Sequence, residues 1–258
     1  MSRLKELFKV KKGNVLSVFY TAGYPKLNDT VTIAKHLECA GADIIEIGIP
    51  FSDPVADGPT IQASNKIALD NRMSVKLLLE QVREARKQVK APIVLMGYLN
   101  PVLQYGFEKF CKDAVANGVD GLILPDMPLD EVTAHQELTS SLGLDIILLI
   151  SPTTSEDRMR VIDGLSRGFV YAVSSSSTTG AKTGFTNDQE SYFQKLKAMK
   201  LQNPFLIGFG ISDNITFSKA SEYGAGAIVG SAFINLLKDS NNFESDISSF
   251  VKGLKSNI

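Results

Sequence analysis

Cysteine is scarce in this chain of 258 residues: Cys39 and Cys111 are the two present. Two cysteines build no disulfide framework, so a reducing compartment is expected. Histidine is as scarce, with His36 and His135 in separate helical segments. Neither shows the paired ligand spacing of a zinc site. No charge of one sign dominates, because 27 Lys+Arg face 28 Asp+Glu for a formal net charge of −1. That balance argues against nucleic acid or an anionic membrane as the main partner. No apolar run is long enough to cross a bilayer. The opening residues, MSRLKELFKVKKGN, lack the apolar core of a secretion signal. A cytoplasmic protein is therefore expected. The spacing of Leu4, Leu7 and Phe8 predicts a short amphipathic N-terminal helix.

What is present is ordinary globular composition, 44% hydrophobic and 21% charged, with mean hydropathy near zero. It is arranged as an alternation. Short apolar or β-branched runs fall at 16–21, 44–49, 93–97, 121–124, 146–150, 169–173, 205–208 and 227–229. Segments with helical periodicity lie between and after them, at 27–40, 74–90, 107–117, 130–142, 155–165, 188–199, 215–223 and 243–254. Several end in a glycine that opens the next strand, such as Gly41, Gly118 and Gly224, the usual residue just past a helix end. Strand, helix, strand at this spacing predicts parallel pairing with right-handed crossovers. Near-continuous apolar strands predict a sheet covered on both faces. About eight such units in about 250 residues match a (β/α)8 barrel. An open doubly wound sheet is the rival, although TAGYPKLND after the first strand is no Gly-rich dinucleotide fingerprint. No linker or composition shift divides the chain, so residues 1–258 read as a single barrel domain.

Chemistry in such a barrel gathers where strands end and loops begin. The stretch IIEIGIPFSDPVADGPTIQ, residues 44–62, is the most unusual. Glu46 sits among strand isoleucines, and Asp53 and Asp57 hang in a proline-rich loop that follows. A carboxylate in such a strand either pairs with a cation from a neighbouring strand or takes a raised pKa suited to acid–base work. None of the predicted strand cores contains lysine or arginine. Gly210 and Gly230-Ser231 follow the seventh and eighth strands, where phosphate sites of this fold recur, and residues 231–237 can form a short helix whose first amides attract an anion. The segment SSSSTTGAKTG, 174–184, reads as a flexible linker or as a lid over substrate. Phe19, Tyr98, Tyr171 and Phe209 near strand ends suit rim packing or a flat aromatic ligand.

From Glu46 to Pro59 the residues EIGIPFSDPVADGP resemble the signature of the tryptophan synthase alpha chain family, and TAGYP before it and GYLNP, PDMP, STTG, GFGIS and AIVGSA after it fall in the order that family has. The resemblance implies a (β/α)8 lyase that cleaves indole-3-glycerol phosphate to indole and glyceraldehyde 3-phosphate in tryptophan biosynthesis. It implies Glu46 and Asp57 as catalytic, Gly180, Gly210, Gly230 and Ser231 as the phosphate site, and Phe19, Tyr98, Tyr171, Phe209 and the lid residue Thr179 around indole. It implies a heterotetramer with a beta chain contacted through Asp53 and Pro54, although an aspartate before proline is equally a turn former. Pyridoxal phosphate is expected in that beta chain, and no cofactor in this one. The lid departs from the family's more frequent Gly-Val-Thr-Gly by carrying Ser177-Thr178 before Thr179, which bears on closure rate rather than on the reaction. A stand-alone lyase that releases free indole stays open. Other phosphate-binding barrel enzymes commonly need a strand-end lysine, which is missing. A subunit that only activates its partner would not need both Glu46 and Asp57.

Overall fold

The computed structural model describes residues 2–174 and 184–256. Eight strands, β1 (Val15–Thr21), β2 (Ile44–Gly48), β3 (Ile93–Met96), β4 (Gly121–Ile123), β5 (Asp145–Ile150), β6 (Val170–Val173), β7 (Phe205–Gly208) and β8 (Gly226–Val229), pair in chain order. All pairs are parallel, and β1 also pairs with β8, so the sheet is a closed barrel. The open doubly wound alternative is excluded.

Alternation along each strand divides the apolar residues into two sets. One set, including Val18, Ile45, Ile47, Leu95 and Leu148, packs outward beneath the helices. The other, including Val15, Ile44, Val94, Ile147, Phe169, Tyr171, Leu206 and Ile228, fills the barrel interior. The N-terminal helix Arg3–Val10 adds Leu4 and Phe8 to that interior set, with Phe8 against Phe169 at 6.0 Å between ring centres. This helix thus plugs the end where the strands begin. Arg3 pairs with Asp120 at 2.9 Å and the Ser2 hydroxyl donates to Asp145, which ties the plug to the starts of β4 and β5. The opposite end is left for function. There, register sets Phe19 of β1 beside Glu46 of β2, and Glu46 beside Val94 of β3.

Two prolines sit where helices begin, and one expected helix is divided. The proline-rich loop after Glu46 ends in a helix: Pro59 opens Pro59–Asp70 at its first position. A proline there forfeits no hydrogen bond, because the first amides of a helix have no intrahelical partner. Pro101 sits in the first turn of the helix Leu99–Tyr105 for the same reason. The segment expected as one helix over 130–142 is two, Leu129–Ala134 and Gln136–Leu142, joined at His135 with φ −97° and ψ 3°.

Candidate active site

Glu46 lies in the middle of β2, fully buried. Among the described residues it has no cationic partner. The Ser17 hydroxyl, also fully buried, donates to Oε1 at 2.6 Å, while Oε2 is buried without a partner. Burial pushes the carboxyl up to about 7, and the Ser17 hydrogen bond opposes the rise only in part. The acid–base alternative of the sequence reading is therefore the one supported. Ser17 escaped that reading. Its signal was a polar residue in an apolar strand, two positions before Phe19 and so on the same face.

Asp57 arrives from the loop between β2 and the helix Pro59–Asp70. Its N–H donates to the Pro54 carbonyl at 3.1 Å, and its own carbonyl accepts from Gln62 Nε2 at 2.8 Å. Tyr98, at the end of β3, holds the loop from the side: its hydroxyl accepts the Ala56 N–H at 2.9 Å, and its ring packs on Phe51 at 5.2 Å. Asp126 after β4 accepts the Leu99 N–H at 2.9 Å, which braces the turn that carries Tyr98. Asp57 is half-buried, and desolvation raises its carboxyl to about 6 against the opposing effect of the Tyr98 hydroxyl. Burial and the nearby Asp57 charge push the Tyr98 phenol up to about 12. Asp53 points the other way. It is exposed and accepts from the Ser52 hydroxyl, Pro54 is half-buried, and Val55 beside them is 89% exposed. One short loop therefore presents an inward carboxylate and an outward face.

Aromatic rings wall the interior above Glu46. Phe19 lies so close to Gly48 that a Cβ there would fall 2.7 Å from the ring, and it also borders Gly230. Tyr171 of β6 lies over Gly208, where a Cβ would meet the phenol oxygen at 2.3 Å, so only glycine lets the ring occupy that place. Tyr171 meets Phe209 edge to face at 6.2 Å and 68°. Burial, with Glu46 and Asp57 adding negative charge, raises the Tyr171 phenol well above its ordinary value, which places Tyr171 within the field of both carboxylates. Phe209 has φ +70°, a conformation costing a bulky residue about 1–3 kcal/mol. Ser174 stabilises it by donating its hydroxyl to the Phe209 carbonyl at 2.6 Å and its N–H to the Gly208 carbonyl at 3.0 Å.

The two helices that follow β7 and β8 differ at their starts. Asp213 caps the helix Asn214–Tyr223 with its carboxylate, so that end is occupied. The helix Ser231–Asp239 starts at Gly230 with no side-chain cap. The Gly230 carbonyl accepts from Phe233 and Ile234, which leaves the Ser231 and Ala232 amides as first-turn donors for an anion. Gly210, at φ +76°, has the Ser174 hydroxyl 4.0 Å from where a Cβ would lie. Gly180 and Thr179, with most of the 174–184 segment, lie outside the described residues. His135 stacks on Phe107 at 4.1 Å, and the described residues bring together no group of three or more potential metal ligands.

Comparison with known proteins places the chain in a family. The family model described as tryptophan synthase alpha chain matches residues 5–256. The tryptophan synthase alpha chain of Parabacteroides distasonis is 49% identical over 256 residues, 99% of this chain and 100% of that protein. That of Flavobacterium psychrophilum is 50% identical over 252 residues, 97% of this chain and 98% of its own. Among solved structures, the tryptophan synthase alpha chain from Legionella pneumophila superposes with a TM-score of 0.88 at 33% identity, covering 99% of this chain and 96% of that one. Tryptophan synthase from M. tuberculosis in its aminoacrylate-bound form superposes with a TM-score of 0.86 at 30% identity, covering 98% of each chain.

Proposed function

The chain belongs to the tryptophan synthase alpha chain family, and from that premise we propose how its own residues cleave indole-3-glycerol phosphate to indole and glyceraldehyde 3-phosphate. The observation that carries the proposal is a fully buried carboxyl, Glu46, with a raised pKa and one oxygen free, under an aromatic-walled chamber.

The bond to be broken joins indole C3 to a carbinol carbon. Its electrons cannot leave as an aryl carbanion, so C3 must first be protonated. Neutral Glu46 gives its proton to C3, and the ring becomes an iminium-like cation. The Glu46 carboxylate then takes the proton of the carbinol hydroxyl, the oxygen lone pair forms the aldehyde carbonyl, and the C–C electrons return to the ring. Glu46 ends neutral, as it began. Asp57, as a carboxylate, accepts a hydrogen bond from the ring N–H and stabilises the positive charge that develops there. The aromatic rings of Phe19, Tyr98, Tyr171 and Phe209 hold the indole. The Gly210 and Gly230-Ser231 backbone holds the phosphate, with Gly180 assigned to the same site and Thr179 to the lid over indole by the family resemblance.

Indole is small and apolar, so a partner that consumes it limits its loss. The outward face at Asp53, Pro54 and Val55 fits a docking role for a beta chain, with two of each chain in the assembly. Pyridoxal phosphate belongs to that beta chain in this reading, with none needed here. Two free thiols, Cys39 and Cys111, suit a cytoplasmic setting. Because Asp57 shares its loop with the docking face, a partner would order the loop and bring Asp57 to the ring nitrogen. Purified chain should accordingly release indole slowly on its own, with kcat rising at least about tenfold when saturating beta chain is added. A rate indifferent to the partner would leave a stand-alone lyase as the correct reading.

A further inference from the structure

We propose that Ser17 is a positioning residue for the lyase reaction: its hydroxyl anchors Oε1 of Glu46 so that Oε2 is the oxygen that exchanges protons with the substrate. The proposal rests on Glu46 being the proton carrier.

Two facts of geometry support it. Ser17 donates to Oε1 at 2.6 Å, at the short end for an O–H···O bond, with both residues fully buried. Oε2 has no partner among the described residues, so the anchored carboxyl offers one defined free atom. The final torsion of a glutamate is broad and nearly two-fold. Without an anchor, the carboxyl can present either oxygen over a range of angles. With Oε1 occupied as an acceptor, the proton of the neutral acid resides on Oε2, ready for C3. The same oxygen then faces the carbinol proton.

The surroundings give Ser17 a second effect. The flanking strands β1 and β3 carry no charged side chain. Among the described residues, the Tyr171 phenol from β6 lies in the field of both Glu46 and Asp57, and neither a phenol nor a second carboxylate stabilises a carboxylate by charge. Among the described residues, the Ser17 hydroxyl is the hydrogen-bond donor that favours ionised Glu46 against burial. It therefore holds the group where both protonation states are reachable at neutral pH, which a residue that gives and takes a proton in one turnover requires.

The test compares the wild type with Ser17→Ala and Ser17→Thr, and titrates the Glu46 carboxyl by carbon-13 NMR with its signal assigned by its loss in Glu46→Gln. Ser17→Ala should raise the Glu46 midpoint by about one pH unit and lower kcat about tenfold with KM little changed. Ser17→Thr, which keeps a hydroxyl, should restore both. A purely structural serine would lower thermal stability and leave the midpoint in place. An unmoved midpoint in folded Ser17→Ala overturns the proposal, whatever the activity. Because the titration does not depend on turnover, it separates that failure from failure of the premise, which would show as a Glu46→Gln variant that keeps its activity.

Discussion

Glu46→Gln should lower the rate of indole formation about a hundredfold or more while leaving the barrel intact. Glutamine keeps the size and can still accept from Ser17, but it can neither give C3 a proton nor take one from the carbinol. The loss should fall on kcat, because Glu46 makes no contact that binds the phosphate. The fold gives an internal control with a definite sign. The folded value, about 7, lies above the ordinary 4.5. Below 4.5 both folded and unfolded chains hold the proton, and the residue costs nothing. As pH rises between the two values, the unfolded chain releases its proton and the folded chain keeps it, so stability falls, by about 3 kcal/mol in all. Glutamine carries no such cost. Above about pH 7 the variant should therefore melt no lower than the wild type, with any advantage vanishing in acid. A variant that kept most of its activity would remove Glu46 from the chemistry.

Asp57→Asn should cost about a hundredfold in kcat, and saturating beta chain should not rescue it. An amide oxygen can still accept the ring N–H, so substrate binding should change little. What disappears is the negative charge that offsets the cation forming in the ring, and that charge matters only in the transition state. With a value near 6, Asp57 is mostly ionised at neutral pH while Glu46 is poised between its two states. Burial raises both, but the half-buried aspartate by less than the fully enclosed glutamate. A loss that appeared as raised KM with unchanged kcat would assign Asp57 to binding instead.

Much of this was legible in the chain. Barrel strands are buried on both faces, so each showed as an apolar run. A carboxylate inside such a run, at Glu46, was conspicuous for the same reason. The N-terminal helix was visible in Leu4, Leu7 and Phe8, although the barrel end it plugs was not. Ser17 was missed because its importance lies in a contact to a residue 29 positions away, which requires the strand register. Asp126 was missed as a brace for the Tyr98 turn because its partner, the Leu99 N–H, is 27 positions away, across a strand and two helices. The proline-rich stretch after Glu46 read as loop throughout, yet Pro59 opens a helix there, because a first-turn proline forfeits no hydrogen bond.

The pH dependence of kcat/KM for indole release tests the central claim most directly, that one carboxyl starts neutral and the other ionised. Glu46 must hold its proton to attack C3, so the rate should fall as pH rises through about 7. Asp57 must be ionised, so the rate should also fall toward acid, near 6. The two groups share one chamber, so the limbs belong to the pair. The substrate phosphate also ionises near the acid limb, at about 6, which makes the alkaline limb the decisive one. A falling alkaline limb near 7, abolished in whatever activity Glu46→Gln retains, is the predicted result. A rate that stays level or climbs through that range would contradict the account.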